Sequence, residues 1–318
     1  MEYRFTHNVN QPAPLADFIP NTLDQNLYSA FVQDQITLFD DVYLTLGSKL
    51  EHNDYTGFEW EPSARLQWNI SDNQMLWGAI SRAVRMPSEY DRNLYTPSPD
   101  YLLFLANSNS TFASETLIAY EAGYRAQFNN RVSGSLSAFF NDYDHLRSLD
   151  YTPGGAGGFL PLYWANDDDG ETWGFELNVN YQPLPWWRLN LGYDFLQENI
   201  FTKSGTVDLD ARVEDTADPE NQIFIRSTMD LPHHIEFGAD GRWIDRAEFD
   251  NGAEVGTVPS YFELDLSLGW RPAKNIEVSV TGQNLVHDQH VEAGYPYNVP
   301  QTQEAIVRNV YGQVTWQF

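Results

Sequence analysis

YFELDLSLGW, residues 261–270, splits into two parities: Phe262, Leu264, Leu266, Leu268 and Trp270 on one, Glu263, Asp265, Ser267 and Gly269 on the other. A period of two sends alternate side chains to opposite faces of an extended chain, so this is a strand between two unlike surroundings. The separation recurs in residues 276–283, where Ile276, Val278, Val280 and Gly282 oppose Glu277, Ser279, Thr281 and Gln283. It recurs again at the C-terminus, where Val310, Gly312, Val314, Trp316 and Phe318 alternate with Asn309, Tyr311, Gln313, Thr315 and Gln317.

Residues 234–243, 187–195 and 174–181 follow the same rule. Across these segments the apolar parity carries no charge, whereas the other carries Glu176, Arg188, Asp194, Glu236, Asp240, Arg242, Glu263, Asp265 and Glu277. The same reading along the chain gives about fourteen strands, near 2–8, 25–38, 42–53, 60–70, 75–86, 116–128, 132–147, 163–182, 186–199, 219–231, 234–247, 258–271, 276–288 and 305–318. Tight turns at 39–41, 71–74, 129–131, 183–185 and 272–275 interleave with long connections at 87–115, 148–162, 200–218, 248–257 and 289–304. One rim is therefore short and the other elaborate. No segment has a convincing helical period and no linker interrupts the chain, so residues 1–318 read as one all-β domain.

The 318 residues exceed the usual size of one compact domain, for which closed barrels are the common exception. Aromatics are abundant, with 10 Trp, 18 Tyr and 19 Phe. Lys+Arg number 18 against Asp+Glu 45, a net charge of −27 that repels phosphate backbones and excludes nucleic acid as a partner. The chain has no Cys, which removes disulfides, thiolate metal sites and Cys nucleophiles. The longest apolar run, Leu102 to Ala106, is too short for a membrane-spanning helix. The opening MEYRFTHNVN does not read as a signal peptide, so the chain is expected either to be cytosolic or to have had its N-terminus cut away.

A soluble β-sandwich would alternate in the same way, its apolar face being its core, and pattern alone leaves both open. Strand length and ring placement favour an antiparallel transmembrane β-barrel. The expected strands exceed the usual five or six residues, and Trp68, Tyr181, Trp186, Trp187, Trp243, Trp270 and Trp316 are expected where strands meet the short turns, as an interfacial girdle requires.

Several stretches together resemble one family. FVQDQITL (31–38), LTLGSKLEHNDYTG (44–57), SRAVRMPSEYDRN (81–93), ETLIAYEAGYRAQF (115–128), FFNDYDHLRS (139–148), GETWGFELNVNYQP (170–183) and QNLVHDQH (283–290) are similar, in this order, to the C-terminal part of the β-barrel of TonB-dependent outer-membrane receptors. The resemblance implies a Gram-negative outer membrane, a barrel of roughly 22 strands of which about fourteen are present, and capture of a scarce nutrient, foremost a ferric siderophore. It also implies that the short turns are periplasmic and the long loops extracellular. Nothing in the chain resembles the family's plug, through which a TonB-type coupling protein acts, so the chain reads as part of a receptor. Val310, Gly312, Val314, Trp316 and Phe318 resemble the signal by which such barrels reach their assembly machinery. The alternative function is a passive, porin-like channel closed by fourteen strands.

Ligand contact is expected from loop rings and guanidinium groups: Tyr95, Tyr101, Tyr163, Trp164, Tyr295 and Tyr297, with Arg82, Arg85, Arg92 and Arg147 near the loop bases. Planar rings beside cations suit an anionic, partly aromatic chelate, and packing of the loops against each other would use the same rings. No cofactor or resident metal is expected. His287 and His290 in HDQH read as a solvated loop margin, and Asp167, Asp168 and Asp169 as a hydrated acidic loop lacking the spacing of an EF-hand. Gly154 to Gly158 is a loop tip without the Lys-Ser/Thr of a phosphate cradle. His145 with Asp142 or Asp144 is the nearest acid–base set, and it does not make an enzyme by sequence proximity alone. His233 and His234 occupy a turn and receive no role.

Overall fold

The computed structural model describes residues 1–12, 17–95, 110–151, 162–206, 208, 214–250, 255–294 and 305–318. Among them, fourteen strands form one antiparallel sheet in which each strand pairs with the next in sequence. The first five are β1 (Glu2–Val9), β2 (Thr22–Phe39), β3 (Val42–Asn53), β4 (Gly57–Ser71) and β5 (Gln74–Arg85). Next come β6 (Glu115–Asn129), β7 (Val132–Tyr151), β8 (Leu162–Leu184) and β9 (Trp187–Thr202). The sheet ends with β10 (Asn221–Leu231), β11 (Ile235–Ile244), β12 (Tyr261–Ala273), β13 (Ile276–Gln283) and β14 (Asn309–Trp316). β1 pairs only with β2 and β14 only with β13, so the two end strands do not meet.

Burial is inverted relative to a soluble protein. Mid-strand Leu136, Leu191, Ile225, Leu268 and Val280 are all exposed, Leu268 at 50% and Val280 at 51%. A sandwich would seal this face, so the sandwich alternative fails. The exposed face is banded by rings. Trp68, Phe128, Tyr181, Trp186, Trp270 and Trp316 lie toward the short turns, and Phe58, Trp60, Tyr120, Phe140, Trp173 and Phe262 toward the long loops. On β8, Trp173 and Tyr181 are about 27 Å apart along the strand, and a tilt of about 40° reduces this to a height near the apolar band of an outer-membrane barrel. Trp243, expected in the lower belt, belongs to the upper one. It stands opposite Phe262 at the far end of β11.

The other face is a polar wall. Arg226 sits directly opposite Asp240 and pairs with it, as Arg242 pairs with Glu263. Arg188 grips Asp230 through both terminal nitrogens, and Asn190 donates to Asn178 and Asn180. Polar groups that would be orphaned in hydrocarbon are satisfied by one another and by water.

Local chemistry sets the strand ends. At the short rim Asn129 Oδ1 accepts from the backbone N–H of Arg131 (2.8 Å) and Val132 (3.0 Å). His233 and His234 make the β10–β11 turn with φ of 63° and 61°. At the long rim one connection is short: Asn53 Oδ1 accepts from Tyr55 and Thr56 N–H, and Gly57 closes the turn at φ +78°. β13 stops at Gln283, before the expected 288, because buried Asn284 turns left-handed (φ 50°), gives its N–H to Asp265 and its side-chain amide to the Ile306 carbonyl.

Above Phe140 and Trp173, β7 and β8 continue as a paired arm clear of the membrane belt, with Tyr151 opposite Leu162. Asp167, Asp168 and Asp169 lie within this arm, and Asp168 is buried, which corrects the hydrated loop expected there. The loops also carry a one-turn helix, α1 (Glu89–Asn93), and three small ribbons. These pair Asp17–Phe18 with Leu94–Tyr95, Ala247–Asp250 with Val255–Val258, and Gln289–Val291 with Ala305–Val307. Gly154 to Gly158 fall outside the described residues.

The two faces of β9 make a direct test. Leu191→Arg, on the exposed face, is expected to destabilise the protein folded in lipid vesicles by about 2 to 4 kcal/mol. Asn190→Arg, on the polar wall, should cost far less, and denaturant titration in vesicles measures both. Equal costs would mean that the two faces meet the same solvent.

Candidate functional site

The arginines and rings expected to contact ligand are sorted by the fold into one cluster and several separate places. The cluster is built on α1. Ser88 caps the helix, its N–H and hydroxyl both donating to Asp91 Oδ2 at 2.8 Å while Asp91 N–H donates back to Ser88 Oγ at 3.3 Å. This capping box buries Asp91 completely and leaves its charge facing outward from the helix.

Two guanidinium groups converge on that charge. Arg85, the last residue of β5, lies 3.8 Å from Asp91 and forks onto Glu115 of β6, with Nε at 2.5 Å. Arg147 of the β7 arm lies 3.5 Å from the other Asp91 oxygen and gives its backbone N–H to Glu115 at 3.0 Å. The Arg147 guanidinium then lies over the Trp164 ring at 4.7 Å, and Trp164 contacts Tyr90 at 5.7 Å. Despite these anchors the Arg85 and Arg147 side chains keep 48% and 42% of their surface open. Held cations next to an aromatic plane form a surface matched to a planar anion.

A backbone irregularity aims Arg147. His145 takes φ 62°, and the β7–β8 register shifts between Ala165 and Asp168 and again before Gly170. A bulge of this kind re-points the side chains that follow it. Asn166 pins the bulge, donating to the His145 carbonyl at 2.8 Å and accepting from Ala113 N–H at 2.7 Å. His145 itself lies 2.9 Å from Asp144, and Asp144 also meets Lys203 at 3.4 Å.

Arg92 points the other way from α1. It donates Nε and Nη2 to the Phe112 carbonyl at 2.8 and 2.5 Å, lies over the Tyr55 ring at 5.3 Å, and pairs with no carboxylate among the described residues. Burial lowers its pKa, while burial and the Glu89 charge push the Tyr55 phenol up to about 12. Arg82 does not join the cluster. It falls on the outward parity, in register with Ile118, and donates to the Trp60 carbonyl at 2.6 Å. Tyr95 is exposed on the ribbon opposite Asp17, and Tyr163 stands opposite Asp150 on the arm. Tyr101, Tyr295 and Tyr297 lie outside the described residues.

Asp91, Glu115, Tyr90 and Tyr55 were not among the residues expected from sequence. The signal for Asp91 was Ser88-x-x-Asp91 after Pro87, a helix start that strand-seeking alternation passes over. HDQH also needs correction. His290 is not a solvated margin, since its side chain is 7% exposed, stacks on Tyr261 at 4.4 Å and meets Glu292 at 3.0 Å. Glu263, His290 and Glu292 bring their ligand atoms within 4.8 Å of one another. Arg242 already reaches both carboxylates, at 2.6 and 2.5 Å, and is the cation of that group.

Comparison with known proteins places this geometry. A family model described as TonB dependent receptor-like, beta-barrel matches residues 1–285. The ferric enterobactin receptor of Pseudomonas aeruginosa is 30% identical over 161 residues, 44% of this chain and 21% of that protein. The ferrienterobactin receptor of Escherichia coli is 26% identical over 296 residues, 84% of this chain and 37% of that one. Among solved structures, a variant of the Pseudomonas aeruginosa ferric enterobactin receptor superposes with a TM-score of 0.74 at 18% identity, covering 98% of this chain and 48% of that chain. The siderophore receptor PirA of Acinetobacter baumannii gives 0.70 at 17%, covering 93% and 46%. The chain thus spans less than half the length of each of these proteins.

If Asp91 holds α1 as described, Asp91→Ala removes the N3 half of the capping box together with the charge shared by two arginines. Amide hydrogen exchange over residues 88–93 should then quicken by roughly tenfold or more, and Asp91→Asn, which keeps the acceptor, should lie between. Unchanged protection in Asp91→Ala would remove the helix as organiser of the cluster.

Proposed function

Because the chain belongs to the TonB-dependent receptor-like β-barrel family, receptors of the Gram-negative outer membrane rather than enzymes, we propose that it is the C-terminal part of a barrel for energy-coupled uptake of a ferric siderophore. The observation carrying this reading is the solvent-open pair of Arg85 and Arg147, fixed by Asp91 and Glu115 and flanked by Trp164 at the extracellular mouth. A ferric chelate with aromatic donor groups presents negative charge in flat, polarisable planes. Guanidinium groups meet both properties at once, by hydrogen bonds in their plane and by stacking on its face.

The names of the proteins it resembles, receptors for ferric enterobactin and for siderophores, favour this ligand class over other scarce nutrients. Coupling to a TonB-type protein would run through a plug domain, which the family resemblance assigns to a separate part of a receptor. A passive fourteen-stranded channel would require β1 and β14 to close on each other, and their lack of pairing weighs against it. Val310, Gly312 and Val314 lie opposite Gly282, Val280 and Val278, and Trp316 and Phe318 stand exposed beyond them. This outward row fits the proposed role as the signal read by the assembly machinery.

Titrating the complete receptor with a ferric catecholate siderophore, followed by tryptophan quenching, tests the ligand class. Arg147→Ala and Trp164→Ala should each weaken binding about tenfold, or about 1.4 kcal/mol. Full affinity in both variants would overturn the site. Steady single-channel current from this polypeptide alone would favour the passive channel. Deleting Phe318 should lower the amount of receptor reaching the outer membrane without altering the affinity of what arrives.

A further inference from the structure

Arg82, expected from its place in the sequence to meet ligand, stands instead on the outward parity of β5, and the receptor reading leaves it unused. It lies opposite Ile118, which lies opposite Asp142, followed round the wall by Glu171 and Asn199. On the same strands this row is two residues above that of Ile80, Tyr120, Phe140 and Trp173, about 7 Å nearer the long loops along the strand axes. Arg82 is the only cation of its row. Its outward neighbours Ile80, Ile118 and Tyr120 are apolar and exposed.

The wall parts next to Arg82. β4 pairs with β5 from Ser71 up to Ser63, opposite Ser81, and no further, although β4 continues to Gly57 beside β3 and β5 to Arg85 beside β6. Pro62, the next residue of β4, has no N–H to give to a ladder. Arg82 reaches over this opening and donates Nη1 to the Trp60 carbonyl at 2.6 Å. Its Nη2 lies 4.0 Å from Glu59, a carboxylate already held by Ser114 Oγ at 2.6 Å, and 32% of the Arg82 side chain stays open. A guanidinium has five donors, so the group keeps capacity for a further acceptor.

The opening also marks a height. Parted strands expose backbone groups that hydrocarbon cannot satisfy, so on this part of the wall the acyl layer ends no higher than Ser63. Arg82 therefore stands at the upper boundary of the lipid, one outward step above a row of rings, where headgroups begin.

We propose that Arg82 binds a phosphate of an outer-leaflet lipid at the point where β4 and β5 part. A cation among lipid-facing apolar side chains is costly unless it meets a counter-charge, and the lipid itself carries one at this level. The planar fork matches phosphate oxygens, while Ile80, Tyr120 and the exposed Trp60 ring receive the chain below. Asp142, two strands and about 10 Å away, repels phosphate, so the contact is confined to the β4–β5 side of the wall. The inference rests on the outer-membrane placement of the barrel and stands whatever ligand enters its mouth.

The test is native mass spectrometry of the complete receptor, purified in detergent, freed of lipopolysaccharide and titrated separately with bisphosphorylated and with dephosphorylated lipid A. Arg82→Gln is expected to weaken binding of the phosphorylated lipid about tenfold and to leave the dephosphorylated lipid as it was. Arg82→Lys, which keeps the charge and loses the fork, should fall between, and Asp142→Asn should not weaken binding. Affinity for a ferric catecholate should be unchanged in Arg82→Gln, which separates this result from the fate of the siderophore reading. Equal binding of the phosphorylated lipid by the natural chain and Arg82→Gln overturns the proposal. So does an equal loss for both lipids, which would make Arg82 a strap for the β4 edge alone, or a loss of siderophore affinity, which would return Arg82 to the mouth.

Discussion

Hydrocarbon offers no hydrogen bonds, and this single constraint orders the rest of the molecule. A strand crossing it must satisfy its N–H and C=O groups sideways, on its neighbours, which is why the chain forms a continuous ladder from β1 to β14 with no strand displaced. The same constraint fixes which side chains face outward. Leu268 and Val280 are half exposed because their solvent is lipid, while Arg226 and Asp240, or Arg242 and Glu263, face each other directly across neighbouring strands on the wet side. Two solvents on two faces also pin register, since a one-residue slip would put every charge of a strand into hydrocarbon.

Above the aromatic belt the constraint is lifted, and there the backbone departs from regularity. His145 adopts φ 62°, the β7–β8 register slips around Asn166 and Asp167, and Asn284 turns left-handed to end β13. Each departure has a polar consequence. The first aims Arg147 at Asp91, the second sets Asp150 beside Asp167, and the third brings the final connection over the wall so that Glu292 meets Arg242 and His290 meets Glu292. Bulges are affordable outside the bilayer because water and side chains can take up the groups they release.

Legibility in the sequence follows the same boundary. Within the bilayer one variable, apolar or polar, alternates with period two, and β3 emerges as residues 42–53 from that pattern alone. Where water is on both sides the pattern carries less. Asp167, Asp168 and Asp169 look like a hydrated loop because three acids in a row usually are one, although the strand expected near 163–182 contains them, and the pairing of β7 with β8 decides for the strand. α1 is too short to show a helical period and is announced only by its cap. Arg82 and Arg85 look equivalent as loop-base cations, yet an odd separation puts them on opposite faces, a consequence of period two that a composition-led choice of arginines overlooks.

The charge of the chain bears on how its mouth could hold an anion at all. A net −27 does not attract a negative chelate from afar, but screening limits that repulsion to about 8 Å at physiological ionic strength. Inside that distance the local arrangement decides. Glu115 and Asp91 match Arg85 and Arg147, so the pair acts less as surplus charge than as oriented donors and a stacking plane. Oriented groups discriminate by geometry, whereas net charge would draw every anion alike. For the receptor function proposed above, the former would count for more, and the acids that hold these arginines in place would then belong to the recognition surface.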